Sequence, residues 1–286
     1  MNRQMKLNFA LRKLRYLIVI CFSYPSLGQT VVSTPPLTNE EIVARYIKNG
    51  ARNYLMTWPE YQLYLDSAIS LNPNYAYLYQ QKALPYFGQG KYEIAAAIID
   101  KAVKADPQAY IDYRAYMKCI YGNRHVEAIQ DFVEAKKLKG EKAHVFDHSY
   151  DFYIGLCHLQ LNEFDKAVEF LKKSIEHTEK TSGPSWVHWL DYFYAGIAFQ
   201  ELQNHEEAIA YFDKSIANHK NFSDAKYYKV ISLYRMKKYV EAKSLILECD
   251  FDFKAGYSMN ANDSKYGRYP YQINQELIDM FKRWQP

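Results

Sequence analysis

At 286 residues, with 49% hydrophobic and 24% charged side chains, the chain has ample apolar material for one or two buried cores and does not read as an intrinsically disordered sequence. Only 11 Gly and 10 Pro disfavour a sandwich or barrel built on many tight turns, whereas 28 Tyr lift the aromatic share to 16%. The formal charge of +4 gathers at the start: residues 1–28 hold five basic groups and no acidic one, which leaves 31 basic against 32 acidic groups and no electrostatic footprint for nucleic acid.

The first element in chain order is a leader. Arg12, Lys13 and Arg15 stand at the head of the apolar stretch Leu14 to Phe22, and Ser26-Leu27-Gly28 supplies small residues at the cleavage positions. Residues 1–28 therefore read as a signal peptide, with export of a chain beginning at Gln29 into the envelope of a diderm bacterium. The apolar run is too short for a stable membrane anchor, and Ile20 stands where a lipidation signal at Cys21 would need a small residue. A linker over 29–38 follows, and after it the sequence turns helical.

The helical part repeats itself. One phrase is Tyr92, Ala95, Ile99, Ala102 and Pro107, and it recurs as Trp58, Tyr61, Leu65, Ala68, Pro73; His125, Ala128, Phe132, Ala135; Phe164, Ala167, Leu171, Ser174; His205, Ala208, Phe212, Ser215; and Tyr239, Ala242, Ile246, Cys249. Successive first positions lie 34, 33, 39, 41 and 34 residues apart. A second helical pattern precedes each phrase, with a small residue twelve positions ahead of the alanine: Ala83 before Ala95, Gly155 before Ala167, Gly196 before Ala208. That spacing lets a helical hairpin close with small residues at the crossing. The two long steps place insertions at 136–147 and 176–189.

In these positions the chain resembles the tetratricopeptide-repeat (TPR) family. The resemblance implies an all-α, right-handed superhelical solenoid of about six hairpins, near 42–75, 76–107, 108–142, 148–181, 189–222 and 223–256 within 39–256. The first hairpin departs most from the pattern, with Asn49 and Tyr61 in place of small residues. Residues 257–286 read as a loop and a capping helix over about 272–284, with Ile273, Leu277, Ile278, Phe281 and Trp284 on its apolar face.

The resemblance further implies that the first helix of each hairpin lines a concave groove. Carried over position by position, it assigns to that groove Tyr77, Gln80, Phe87, Tyr116, Phe152, Phe193, Gln200, Tyr227, Tyr234 and Arg235. A groove of aromatics, amides and one cation suits a protein or peptide partner. The expected function is a non-enzymatic adaptor or scaffold without a cofactor. The alternatives are a self-assembling subunit whose groove holds its own C-terminal segment, and a metal-dependent or glycan-binding protein.

Chemistry-bearing motifs are few. There is no phosphate-binding loop, nucleophile elbow or H-E-x-x-H helix. His144, His148 and Asp151 would form a two-histidine, one-carboxylate set on a helix, but Asp147 between them reads more simply as an N-cap. His125 and His205 fill the aromatic slot at the start of a second helix. Cys119, Cys157 and Cys249 lack disulfide-framework or C-x-x-C spacing and read as buried thiols, with a Cys119 to Cys157 bridge as the alternative.

Overall fold

A computed structural model describes residues 35–259 and 269–283; the expected signal peptide, most of the linker and Trp284 lie outside them. Helix α1 (Asn39–Ile42) runs on as a π-helical turn, Val43–Lys48, and packs with α2 (Pro59–Leu71) around Ile42, Ile47 and Leu65. Five helical hairpins follow: α3 (Ala76–Gly88) with α4 (Tyr92–Ala105), α5 (Pro107–Ile120) with α6 (His125–Lys139), α7 (Tyr150–Gln160) with α8 (Phe164–Ser182), α9 (Trp189–Glu201) with α10 (His205–Asn218), and α11 (Ser223–Arg235) with α12 (Tyr239–Lys254). Each second helix also packs on the first helix of the next hairpin, which makes the stack a solenoid. Helix α13 (Gln275–Arg283) closes it, burying Ile278 against a cluster with Tyr227, Val230 and Ile246.

A left-handed residue closes every one of these five hairpins. Two residues before each second helix the backbone is left-handed: Gly90 (φ 71°), Asn123 (50°), Asn162 (59°), Gln203 (61°) and Lys237 (62°). In four of the five, the next residue's N–H then reaches back five positions to a carbonyl: Lys91 to Tyr86, Glu163 to His158, Asn204 to Phe199, Lys238 to Leu233, all at 2.9 Å. That is a helix C-terminus finished by a left-handed residue, a place glycine fills most cheaply. Gln203 and Lys237 hold it at a cost of about 1 kcal/mol each.

The crossing inside a hairpin is tighter than small-on-small packing. A β-carbon on Gly196 would stand 2.6 Å from the Phe212 ring, and one on Gly155 would stand 2.7 Å from Leu171. The space left by each glycine is thus taken by the large residue one turn past the alanine, Ala208 or Ala167.

The two insertions take different forms. The first is a small antiparallel ribbon, His144–Val145 paired with His148–Ser149, with Phe146 and Asp147 at its tip. The N-cap of α7 is Ser149, which accepts from Phe152 N–H at 3.2 Å, so Asp147 does not cap the helix as expected. The second insertion lengthens α8 to 19 residues before Gly183 and a 3₁₀ turn at Pro184–Trp186. Among the described residues no helix is long and apolar enough to cross a membrane.

Candidate partner-binding groove

The first helices α3, α5, α7, α9 and α11 share one side of the stack, and a row of tyrosines runs along it: Tyr113, Tyr153, Tyr194 and Tyr228. Each sits two residues before the small or β-branched crossing residue (Ala115, Gly155, Gly196, Val230), so all four have the same rotation about their helices. Burial, together with nearby hydroxyls and acidic groups, pushes their pKa values well above the ordinary tyrosine range, and the row is neutral.

The chain's own C-terminal segment covers the α7, α9 and α11 part of this row. Tyr194 donates its hydroxyl proton to the Pro270 carbonyl at 2.9 Å, and its ring stacks 6.4 Å from Tyr269. The Tyr153 hydroxyl donates to Val145 O at 3.4 Å and lies close enough to Tyr269 for that residue to raise its pKa, and the Tyr271 ring meets Tyr228 edge-on at 5.8 Å while its hydroxyl donates to Glu201 at 3.0 Å. The anchor is Asp224 at the start of α11. Its carboxylate accepts from Met259 N–H at 2.9 Å and Ile273 N–H at 3.2 Å, gripping the segment from both ends. Burial outweighs these bonds and pushes the Asp224 pKa up from 3.8 to about 6.

Between α3, α5 and the ribbon the groove is open, as a cavity of about 880 Å³ lined by Gln80, Phe87, Tyr113, Tyr116 and Phe146, among others. Tyr116 stacks obliquely 4.5 Å from Phe146 and meets Tyr153 edge-on at 5.5 Å, so the wall runs continuously into the covered half. The Tyr113 hydroxyl is buried and has no hydrogen-bond partner. At the floor, Asp112 accepts from Tyr150 at 2.7 Å and pairs with Lys139 at 2.8 Å.

The structure sorts the ten expected groove residues. Gln80, Phe87 and Tyr116 line the cavity, and Tyr77 instead packs half-buried with the N-terminal cluster. Phe152 and Phe193 are fully buried and offer no surface: Phe152 stacks on His148 at 3.8 Å, and Phe193 packs among Tyr194, Phe212, Phe222 and Tyr228. The next residue in each helix, Tyr153 or Tyr194, is equally buried, and it is the one that meets the C-terminal segment at Tyr269 and Pro270. Gln200 spends its amide on Tyr228 O and Ser232 Oγ of the next hairpin. Tyr227, Tyr234 and the exposed Arg235 line a separate cavity of about 530 Å³ against Met280 and Phe281 of α13.

The alternative metal set of His144, His148 and Asp151 does not assemble. Asp151 pairs with Lys136 at 2.5 Å and with Lys173 at 3.7 Å, and His144 is exposed on the ribbon. His148 turns to Asp191 instead (2.7 Å), whose other oxygen accepts from Ser174 at 2.8 Å. His188 lies beside them with its Nδ1 accepting from Leu190 N–H, and burial followed by His148 lowers its pKa to about 4. The trio's ligand atoms lie within 4.8 Å of one another, but those named are already engaged in hydrogen bonds that tie the ribbon and α8 to α9 or cap α9 itself.

The tetratricopeptide-repeat pattern matches residues 76–109, 153–180 and 192–221, falling on α3 to α5, α7 with α8, and α9 with α10. The chain is a tetratricopeptide-repeat protein. Over 157 residues this TPR protein is 27% identical to photosystem I assembly protein Ycf3 of Rippkaea orientalis, spanning 54% of its own length and 84% of that protein. Its fold is similar to that of PilW, a type IV pilus biogenesis factor (TM-score 0.58, 14% identity, 78% of this chain and 94% of the other). It is also similar to Pseudomonas aeruginosa PilF (0.54, 16%, 79% and 96%) and to MamA from Desulfovibrio magneticus (0.53, 13%, 63% and 96%). As a TPR solenoid it is a scaffold for protein–protein contact.

Proposed function

We propose that this TPR protein is a non-catalytic adaptor that holds an extended, tyrosine- or proline-bearing peptide of a partner protein in the open half of its groove. The observation that carries the reading is the chain's own segment 269–273, already laid along the tyrosine row with main-chain and aromatic contacts. The row continues to Tyr113, whose buried hydroxyl lacks the acceptor that Tyr194 finds in Pro270. A peptide carbonyl would satisfy it, and an aromatic side chain would pack against the Tyr116–Phe146 pair. The basic and apolar stretch at 12–22 supports a setting in the cell envelope, which N-terminal sequencing of the expressed protein checks.

The test is titration of the full chain with the peptide Tyr-Pro-Tyr-Gln-Ile, the sequence of residues 269–273, monitored by heat and by tyrosine fluorescence. Saturable binding that Tyr116→Ala weakens at least tenfold is expected. Absence of binding at millimolar peptide, together with an envelope pull-down unchanged by Tyr116→Ala, would overturn the assignment. A second reading, that the groove serves to hold the chain's own C-terminal segment, is favoured by the Asp224 clamp; it predicts binding only after that clamp is removed.

A further inference from the structure

The described residues include three cysteines, all free and buried, and two of them meet. Cys119 lies in the last turn of α5 and Cys157 on α7, with their sulfurs 3.3 Å apart, while Cys249 sits alone on α12 and donates to Ser223 O. His125, at the first position of α6, is the third member of the group: one ring nitrogen and the two sulfurs lie within 4.8 Å of one another. Its Nδ1 is buried without a hydrogen-bond partner. The group is close enough to Tyr116, Tyr153 and Tyr269 for a charge on Cys119 to raise their hydroxyl pKa values, which puts it at the join of the open and covered halves.

We infer that Cys119 and Cys157 form a disulfide that links α5 to α7 across neighbouring repeats and fixes the groove's curvature at this join. Two geometric facts favour this over a metal. The sulfurs must close by only about 1.2 Å to reach a bond of about 2.05 Å. A tetrahedral zinc with Zn–S bonds of about 2.3 Å would instead hold its sulfurs about 3.8 Å apart and would need a fourth donor, whereas the group supplies three.

The chemistry is a two-electron exchange with a small-molecule disulfide such as oxidised glutathione. The Cys119 thiolate attacks one glutathione sulfur, breaks its S–S bond and releases the other half as a thiolate. Cys157, once deprotonated, then attacks the Cys119 sulfur of the mixed disulfide and expels the second glutathione thiolate. Two protein thiols are oxidised, one glutathione disulfide is reduced to two thiols, and the protons pass to the leaving thiolates. Cys119 is the nucleophile because the Cys157 S–H donates to it; this bond, with help from His125, brings its pKa down to about 7 against the effect of burial, while burial pushes Cys157 up. Both sulfurs are buried in the finished fold, so the exchange belongs to folding, once the two cysteines have met and before the pair is closed off from glutathione.

The experiment is refolding of the full chain in oxidised and reduced glutathione, followed by alkylation in denaturant and tryptic mapping. A fragment joining residues 119–124 to 143–166 is expected, and it should disappear with dithiothreitol. The oxidised form should melt about 8 °C above the reduced form. Both cysteines recovered fully alkylated would overturn the inference, as would a link from either to Cys249. Protection from alkylation that ends on adding a chelator would mark a metal site instead and equally defeat the disulfide. Because the mapping is done on the unaltered chain, its answer does not depend on whether Cys119→Ser folds.

Discussion

Asp224 accepts from the C-terminal segment at two separate points, Met259 N–H and Ile273 N–H, and its replacement by Asn separates charge from shape. In the folded chain its pKa is raised from 3.8 to about 6, chiefly by burial. That gap corresponds to about 3 kcal/mol. The folded pKa lies above the unfolded one, so this contribution to stability is fully present below about pH 4 and is lost as the pH rises through about 6. Asp224→Asn has no proton to lose, so the stability of the wild type relative to the variant should fall by about 3 kcal/mol from pH 4 to pH 7, or about 6–12 °C in Tm. The amide oxygen can accept from only one of the Met259 and Ile273 N–H groups and turns its NH₂ toward the other. Hydrogen exchange by NMR should therefore show one of these two amides losing protection. If both keep wild-type protection and the two melting curves run parallel from pH 4 to 7, the clamp assigned to Asp224 is wrong.

Three further outcomes follow from packing and backbone geometry. Gly196→Ala should destabilise by about 1–2 kcal/mol, because overpacking against Phe212, only 2.6 Å from the added carbon, outweighs a gain in helix propensity of about 1 kcal/mol; thermal melts check it, and a raised Tm would contradict the crossing geometry. Lys237→Gly should stabilise by about 1 kcal/mol by relieving a left-handed φ of 62°, and a lowered denaturant midpoint would count against that turn. Lys226→Met strands Asp252, its buried partner at 2.5 Å, and should cost about 3–5 kcal/mol, whereas Lys226→Met with Asp252→Leu should recover most of it. Equal losses in the single and double variants would show that the pair is not coupled.

The repeat was legible because its signals are local. Alanine and aromatic positions at helical spacing, Asp106-Pro107 as cap and first helical residue, and a hairpin turn at a constant distance before each second helix all lie within one unit. Even there, glycine marked only one of the five turns, since Asn, Gln and Lys adopt the same conformation in the others. The tyrosine row also left a trace, a Tyr two residues before the crossing position in four successive hairpins, but it is visible only once the hairpins are aligned to one another.

What the sequence by itself determined is the architecture: a stack of helical hairpins, their order and their inner faces. Tertiary structure decided the site. Each step along a helix turns a side chain by about 100°, so a carry-over displaced by one residue exchanges Tyr153 and Tyr194, which meet the C-terminal segment, for Phe152, which stacks on His148, and Phe193, which packs among Phe212 and Phe222. His148 found Asp191 43 positions away and Cys119 found Cys157 38 positions away, because stacking neighbouring repeats brings together residues that no local pattern connects. The C-terminal segment reaches the groove for the same reason: only the folded stack lines up Tyr153, Tyr194, Tyr228 and Asp224 along one wall, and only that wall provides the contacts that hold it.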